Sequence, residues 1–170
     1  MRRFAKAALI LALLATTVPA SAEVLKFHAS LTGKAEPDNT GSNATGEAVI
    51  RVDTSKRLVS VDLRIHGMTI DKLWDKLVAA PVGPIHFHEY LANGDAVLAL
   101  PLPFGLGYVP DGDGFRVTAK DYDYVAGARL LKSTIGFDDF VEAMKTGKVI
   151  LNVHTDAFND GEIGGYVVAG

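Results

Sequence analysis

The chain has 170 residues, 17 basic and 20 acidic side chains for a formal charge of −3, and no cysteine. That length makes one domain with a useful core, the acidic balance argues against nucleic acid as a partner, and the missing thiols exclude disulfides, thiolate ligands and cysteine nucleophiles. Stability therefore rests on core packing and on any ion the fold binds.

Residues 1–22 read as a secretory signal peptide: Arg2, Arg3 and Lys6 supply a positive start, Ala7 to Ala15 an apolar stretch, and Ala20-Ser21-Ala22 a small-residue cleavage site. Thr16, Thr17 and Pro19 interrupt the stretch, which falls short of the roughly 20 apolar residues of a membrane span. Losing three basic residues takes the formal charge from −3 to −6. The mature domain, residues 23–170, has no later stretch suited to crossing a bilayer, so the expected location is extracytoplasmic, periplasmic or secreted. Arg2-Arg3 leaves the export route open.

From Leu25 to Leu31 apolar and polar residues alternate, as in a half-buried strand. Glu36 to Gly46 is a loop rich in Pro, Asp, Asn, Gly, Ser and Thr, and Ala48 to Asp53 is a second strand turning through Thr54-Ser55-Lys56. A third places Val59, Val61, Leu63 and Ile65 on one face, and pairs with the second as a hairpin. Ile70, Leu73, Trp74 and Leu77 recur at helical spacing and predict one short helix within Thr69–Ala80, covering a sheet edge or end. Strands follow at Ile85–His88 and Ala96–Leu100, then a loop over Gly105–Gly114 and a strand opening at Phe115–Thr118. Gly136 to Lys145 is a helix ending near Gly147. Val149–His154 and Ile163–Val168 close the chain as strands around the turn Asn159-Asp160-Gly161. The expected class is mainly β: an antiparallel, Greek-key-like β-sandwich or barrel with one or two short helices.

Three of the five histidines fall in two of these strands. His86 and His88, two apart, share one face, so both imidazoles can reach one ion. With Val149, Leu151 and Val153 turned to the core, His154 points outward as His86 and His88 do. Spacing alone supports two readings equally: a ligand set, or three surface or hydrogen-bonded histidines without an ion. His66, before Gly67, is a candidate fourth ligand or supporting group, and His28 a weaker one. Glu89 and Asp156 adjoin the presumed ligands and are candidates to orient a ring, though solvated strand-end acids are the plainer reading. All-nitrogen ligation suits copper(II) or zinc, with copper highest in the divalent affinity order. Neutral imidazoles are required, so affinity is expected to fall as pH drops through about 6.5.

Pro110-Asp111-Gly112-Asp113-Gly114 has alternating acids but lacks the later glutamate of an EF-hand and reads as a tight turn. Asn43-Ala44-Thr45 is a glycosylation sequon with meaning only in a eukaryotic secretory pathway, and no Gly-x-Ser-x-Gly elbow occurs.

From Leu25 to Val168 the chain resembles the chordin-type domain, CHRD. Leu31-Thr32-Gly33 with Glu36-Pro37, Gly46-Glu47-Ala48, Ile85-His86-Phe87-His88, and Gly147 to Thr155 running into Gly161-Glu162-Ile163-Gly164-Gly165 carry the likeness. Members often have arginine after that isoleucine, where this chain has Gly164. The resemblance implies a single extracytoplasmic β-rich domain over residues 23–170. The chain is also faintly similar to copper/zinc superoxide dismutase, in which a His-x-His pair and a later histidine hold copper; His86, His88 and His154 would take those roles. No histidine lies between His88 and His154, so the bridging and zinc ligands are missing, as are the disulfide cysteines.

The leading expectation is an exported protein that binds, stores or delivers one metal ion, copper rather than zinc, through His86, His88 and His154, with His66 as a further contributor. The alternatives are a superoxide dismutase-like redox enzyme, with Arg116 or Arg129 guiding a small anion, and a metal-free module that engages an extracytoplasmic protein or a glycan.

Overall fold

The computed structural model describes residues 23–34, 39–105 and 107–170; the expected signal peptide at 1–22 and the start of the Glu36–Gly46 loop lie outside them. Among the described residues ten strands follow in chain order: β1 (Val24–Thr32), β2 (Thr45–Asp53), β3 (Leu58–His66), β4 (Ile85–Tyr90), β5 (Ala96–Leu102), β6 (Tyr108–Asp111), β7 (Gly114–Asp123), β8 (Val149–Val153), β9 (Ile163–Tyr166) and β10 (Val168–Ala169). They form one curled antiparallel sheet in the order β5-β4-β8-β9-β1-β2-β3-β7-β6, with β10 alongside β1. Strands β8 and β9 lie between the β4–β5 hairpin and β1, so strands distant in sequence become neighbours, in the Greek-key manner.

Alternation drives this arrangement. In β2 and β3 every second side chain is buried, and the hairpin pairs Ile50 with Val61 and Val52 with Val59, aligning the apolar sets on one face. Phe27, Leu31, Leu63, Ile65, Phe87, Leu151 and Val153 carry that core across the sheet. At Gly165 a Cβ would lie 2.3 Å from the carbonyl oxygen of Ser30, so a side chain there would push β9 away from β1. Tyr108, at the start of β6, donates its hydroxyl to the Leu102 carbonyl at the end of β5 (2.6 Å), tying together the two outermost strands.

The helices are few and short, as expected, but differ in place from those the sequence suggests. Over Thr69–Ala80 the chain makes a 3-10 turn (Ile70–Lys72) and a four-residue helix, α1 (Asp75–Val78). The break falls at Leu73, which is extended, fully buried and bridged to Thr155. A side chain docked in the core and a β-bridge outweigh the local helical preference, which is worth only tenths of a kcal/mol per residue. Helix α2 (Tyr124–Leu131) was not expected from the sequence; it begins where Asp123 accepts a hydrogen bond from the Ala126 N–H (3.0 Å). Helix α3 (Phe137–Lys145) matches the predicted one, and its Phe140 sits between Phe87 and Tyr124 at ring distances of 5.9 and 4.9 Å. The expected Gly105–Gly114 loop contains β6, which turns into β7 through Gly112 with a φ of 63°. The last strand is interrupted at Val167, whose side chain is buried and whose N–H bonds the Val149 carbonyl.

Candidate metal centre

In β4, Ile85 and Phe87 enter the core, which turns His86 and His88 to the opposite face; in β8, Val149, Leu151 and Val153 do the same for Ile150 and Asn152, and His154 follows. The register sets His86 directly across from Asn152, and His88 from Ile150. That face was expected to be open, yet His86 is 3% and His154 6% exposed, and His88 is half-buried. The outward direction was legible; its burial was not.

The backbone of His154 is clamped from two sides. Its N–H donates to the Pro84 carbonyl (2.8 Å), and its own carbonyl accepts from Trp74 (3.0 Å). The broken helical segment thus braces the end of β8. Glu162 secures the returning loop: one carboxylate oxygen accepts from Thr155 (2.7 Å), the other from Ser42 (2.6 Å), and its backbone carbonyl accepts from Thr40 (2.7 Å). Sequence reasoning assigned Glu162 no such role, although it lies in the Gly161-Glu162-Ile163 motif.

The ligand atoms of His86, His88 and His154 lie within 4.8 Å of one another, the one such group among the described residues. The rings of His86 and His154 stack 4.4 Å apart at 21°, and the His88 ring meets that of His86 edge-on at 4.6 Å. A tetrahedral ion about 2.0–2.1 Å from each nitrogen would hold the nitrogens about 3.3 Å apart. The three rings stand near that arrangement and must draw in to reach it.

Hydrogen bonds choose the donor nitrogens. Nδ1 of His86 faces the Gly83 carbonyl (3.1 Å) and Nδ1 of His154 the Asn159 carbonyl (2.8 Å), so each Nδ1–H donates and Nε2 carries the lone pair. Nδ1 of His88 is buried and without a hydrogen-bond partner. A buried N–H left unpaired is rarer than a buried bare acceptor, which places the His88 lone pair on Nδ1. The expected orienting acids are not used: alternation puts Glu89 on the Phe87 side, and Asp156 accepts from the Asp75 N–H (3.2 Å). Backbone carbonyls orient the rings, and no side-chain pattern announces those.

Burial, reinforced by the neighbouring imidazoles, lowers the His86 pKa to about 3, against a smaller opposing effect of the Gly83 hydrogen bond. Burial and then His154 lower that of His88 to about 4. Both rings are neutral at physiological pH. For these two rings the proton competition expected near 6.5 is therefore moved well into acid.

The other candidates lie elsewhere. His66 is exposed at the end of β3, with Nδ1 3.0 Å from Asp113, and does not join the cluster; His28 is exposed on β1. Arg116 is held by Asp62 on the outer face of β3 and β7, and Arg129 belongs to α2 in a cleft with Arg57 and Phe137. Neither stands among the groups that converge with the histidines.

Residues 27–167 match the model of the CHRD domain. The chain belongs to the CHRD family. CHRD domains occur in extracellular proteins, and no helix among the described residues is long and apolar enough to cross a membrane. No curated protein and no solved structure matches the chain, so neither comparison adds to the likeness with superoxide dismutase.

Proposed function

We propose that this CHRD domain is exported and holds one divalent metal ion through Nε2 of His86, Nδ1 of His88 and Nε2 of His154, to bind, store or deliver it outside the cytoplasm. The convergence of three imidazole donors within 4.8 Å carries this reading. Buried polar atoms are nearly always partnered, and an ion supplies what Nδ1 of His88 lacks. Three neutral nitrogens without thiolate suit copper(II) first and zinc second. His66, engaged with Asp113, is left out of the ligand set.

Calorimetric titration of metal-free protein, without a histidine tag, tests it. One equivalent of copper or zinc should bind, and a variant with all three histidines changed to alanine should bind neither. Absence of binding in the natural chain, or equal binding by the triple variant, overturns the proposal. The redox-enzyme reading has less support, because the arginines expected to guide an anion are placed elsewhere.

A further inference from the structure

We infer that Asn152 governs the open coordination position of this site: its side-chain oxygen accepts a hydrogen bond from a water molecule bound to the ion. The inference rests on the metal-site reading above and adds a positioning residue to it.

Asn152 shares a face of β8 with His154 and pairs in register with His86. Residues directly opposite on antiparallel strands have Cβ atoms roughly 5 Å apart, so the side chains of Asn152 and His86 leave the sheet as neighbours on one face. Following that row across the sheet, the residues are Pro101, His86, Asn152, Gly164, Thr32, Thr45 and His66, so between proline and glycine His86 and Asn152 are the two polar side chains that adjoin each other. It is 3% exposed, and its Oδ1 has no hydrogen-bond partner. A buried amide oxygen with nothing to accept destabilises the fold, and an apolar residue of similar size would not. The oxygen does not hold a loop or a backbone N–H. It packs beside β9, where a Cβ built on Gly164 would stand 3.5 Å from it.

Chemistry supplies the missing donor. Three imidazoles leave a fourth position on a tetrahedral zinc ion or in the square plane of copper(II), ordinarily filled by water, and a metal-bound water is a strong hydrogen-bond donor that needs an acceptor when buried. The amide oxygen needs a donor, and being neutral it competes with water for the ion less well than a carboxylate would, which leaves the position to exchangeable water.

The test compares the full-length natural protein with Asn152→Leu and Asn152→Asp, each metal-free and loaded with copper(II). For Asn152→Leu the metal-free protein should melt at the same temperature or higher, copper affinity should fall by about 10- to 100-fold, and exchangeable-proton ENDOR should lose or displace the bound-water signal. Asn152→Asp, which keeps the acceptor, should retain that signal with altered g and hyperfine values. Natural affinity with an unchanged water signal in Asn152→Leu overturns the inference. So does a lowered metal-free melting temperature with unchanged spectra, which marks a structural amide. If Asn152→Leu does not fold, a copper(II) spectrum of Asn152→Asp identical to that of the natural protein overturns it equally. Failure of the natural protein to bind copper or zinc instead overturns the metal site itself, a result distinct from any on Asn152.

Discussion

The same outward face of the sheet has two ends that obey opposite electrostatic rules. Along β3, β6 and β7 the polar side chains are exposed and matched: Arg116 with Asp62, Arg64 with Asp111 at 2.9 Å, and His66 with Asp113 at 3.0 Å. Those partners hold the Asp62 and Asp113 carboxyls below the usual carboxylate range. Along β4 and β8 the outward polar side chains His86 and Asn152 are buried and His88 half-buried, and two of their atoms, His88 Nδ1 and Asn152 Oδ1, are buried without a hydrogen-bond partner. Water screens charges at the first end, so its pairs contribute little to stability. At the second, unpaired polar atoms are costly, and the cost is recovered only when something binds. Strand alternation made both ends polar; the chain that folds over one of them took its histidines out of water.

Removing the donors should break this contrast most completely. His154→Ala is expected to lower copper or zinc affinity by more than about 100-fold, beyond the range for losing a mere supporting group. The triple His86, His88 and His154 alanine variant should bind neither metal. Competition titration with a chelator of known affinity gives both numbers.

Acid comes next in size. Folded-state values of about 3 and 4 for His86 and His88 lie below the roughly 6.5 of an unfolded chain, so the unfolded state binds more protons between those limits. This contribution is complete above about pH 6.5 and is lost as pH falls towards 4 and then 3. The slope is at most about 1.4 kcal/mol per pH unit for each ring. Urea unfolding of metal-free protein between pH 4 and 7 should show it, and a profile that is the same when His86 and His88 are replaced by glutamine would contradict buried neutral rings. Metal binding should persist well below pH 6.5.

Loading the site sharpens the comparison from the other direction. An ion that binds only the folded state, at 100 times its dissociation constant, adds about 2.7 kcal/mol. For a chain of this size that raises the melting temperature by roughly 5–10 °C. Differential scanning calorimetry with and without copper measures it, and a chelator should reverse it. The smallest effect belongs to the exposed end: His66→Ala and Arg116→Ala should leave metal affinity unchanged and shift the melting temperature least. A loss of affinity in His66→Ala would return that ring to the ligand set.

The sequence by itself determined the strands, through period-two alternation at Val59–Ile65 and Val149–Val153, and it determined that His86, His88 and His154 turn away from the core. The 136–145 helix and the Asp111–Gly114 turn were equally legible, since local propensity and apolar spacing agree there. Only the tertiary structure decided that the three rings meet, because β4 and β8 become neighbours through register across more than sixty residues of chain. It also decided that Leu73 breaks its helix to pair with Thr155, that Gly83 and Asn159 orient the rings through their carbonyls, and that the outward face is covered where the histidines stand. These outcomes depend on long-range contacts and backbone groups, which every residue possesses alike and which no side-chain pattern records.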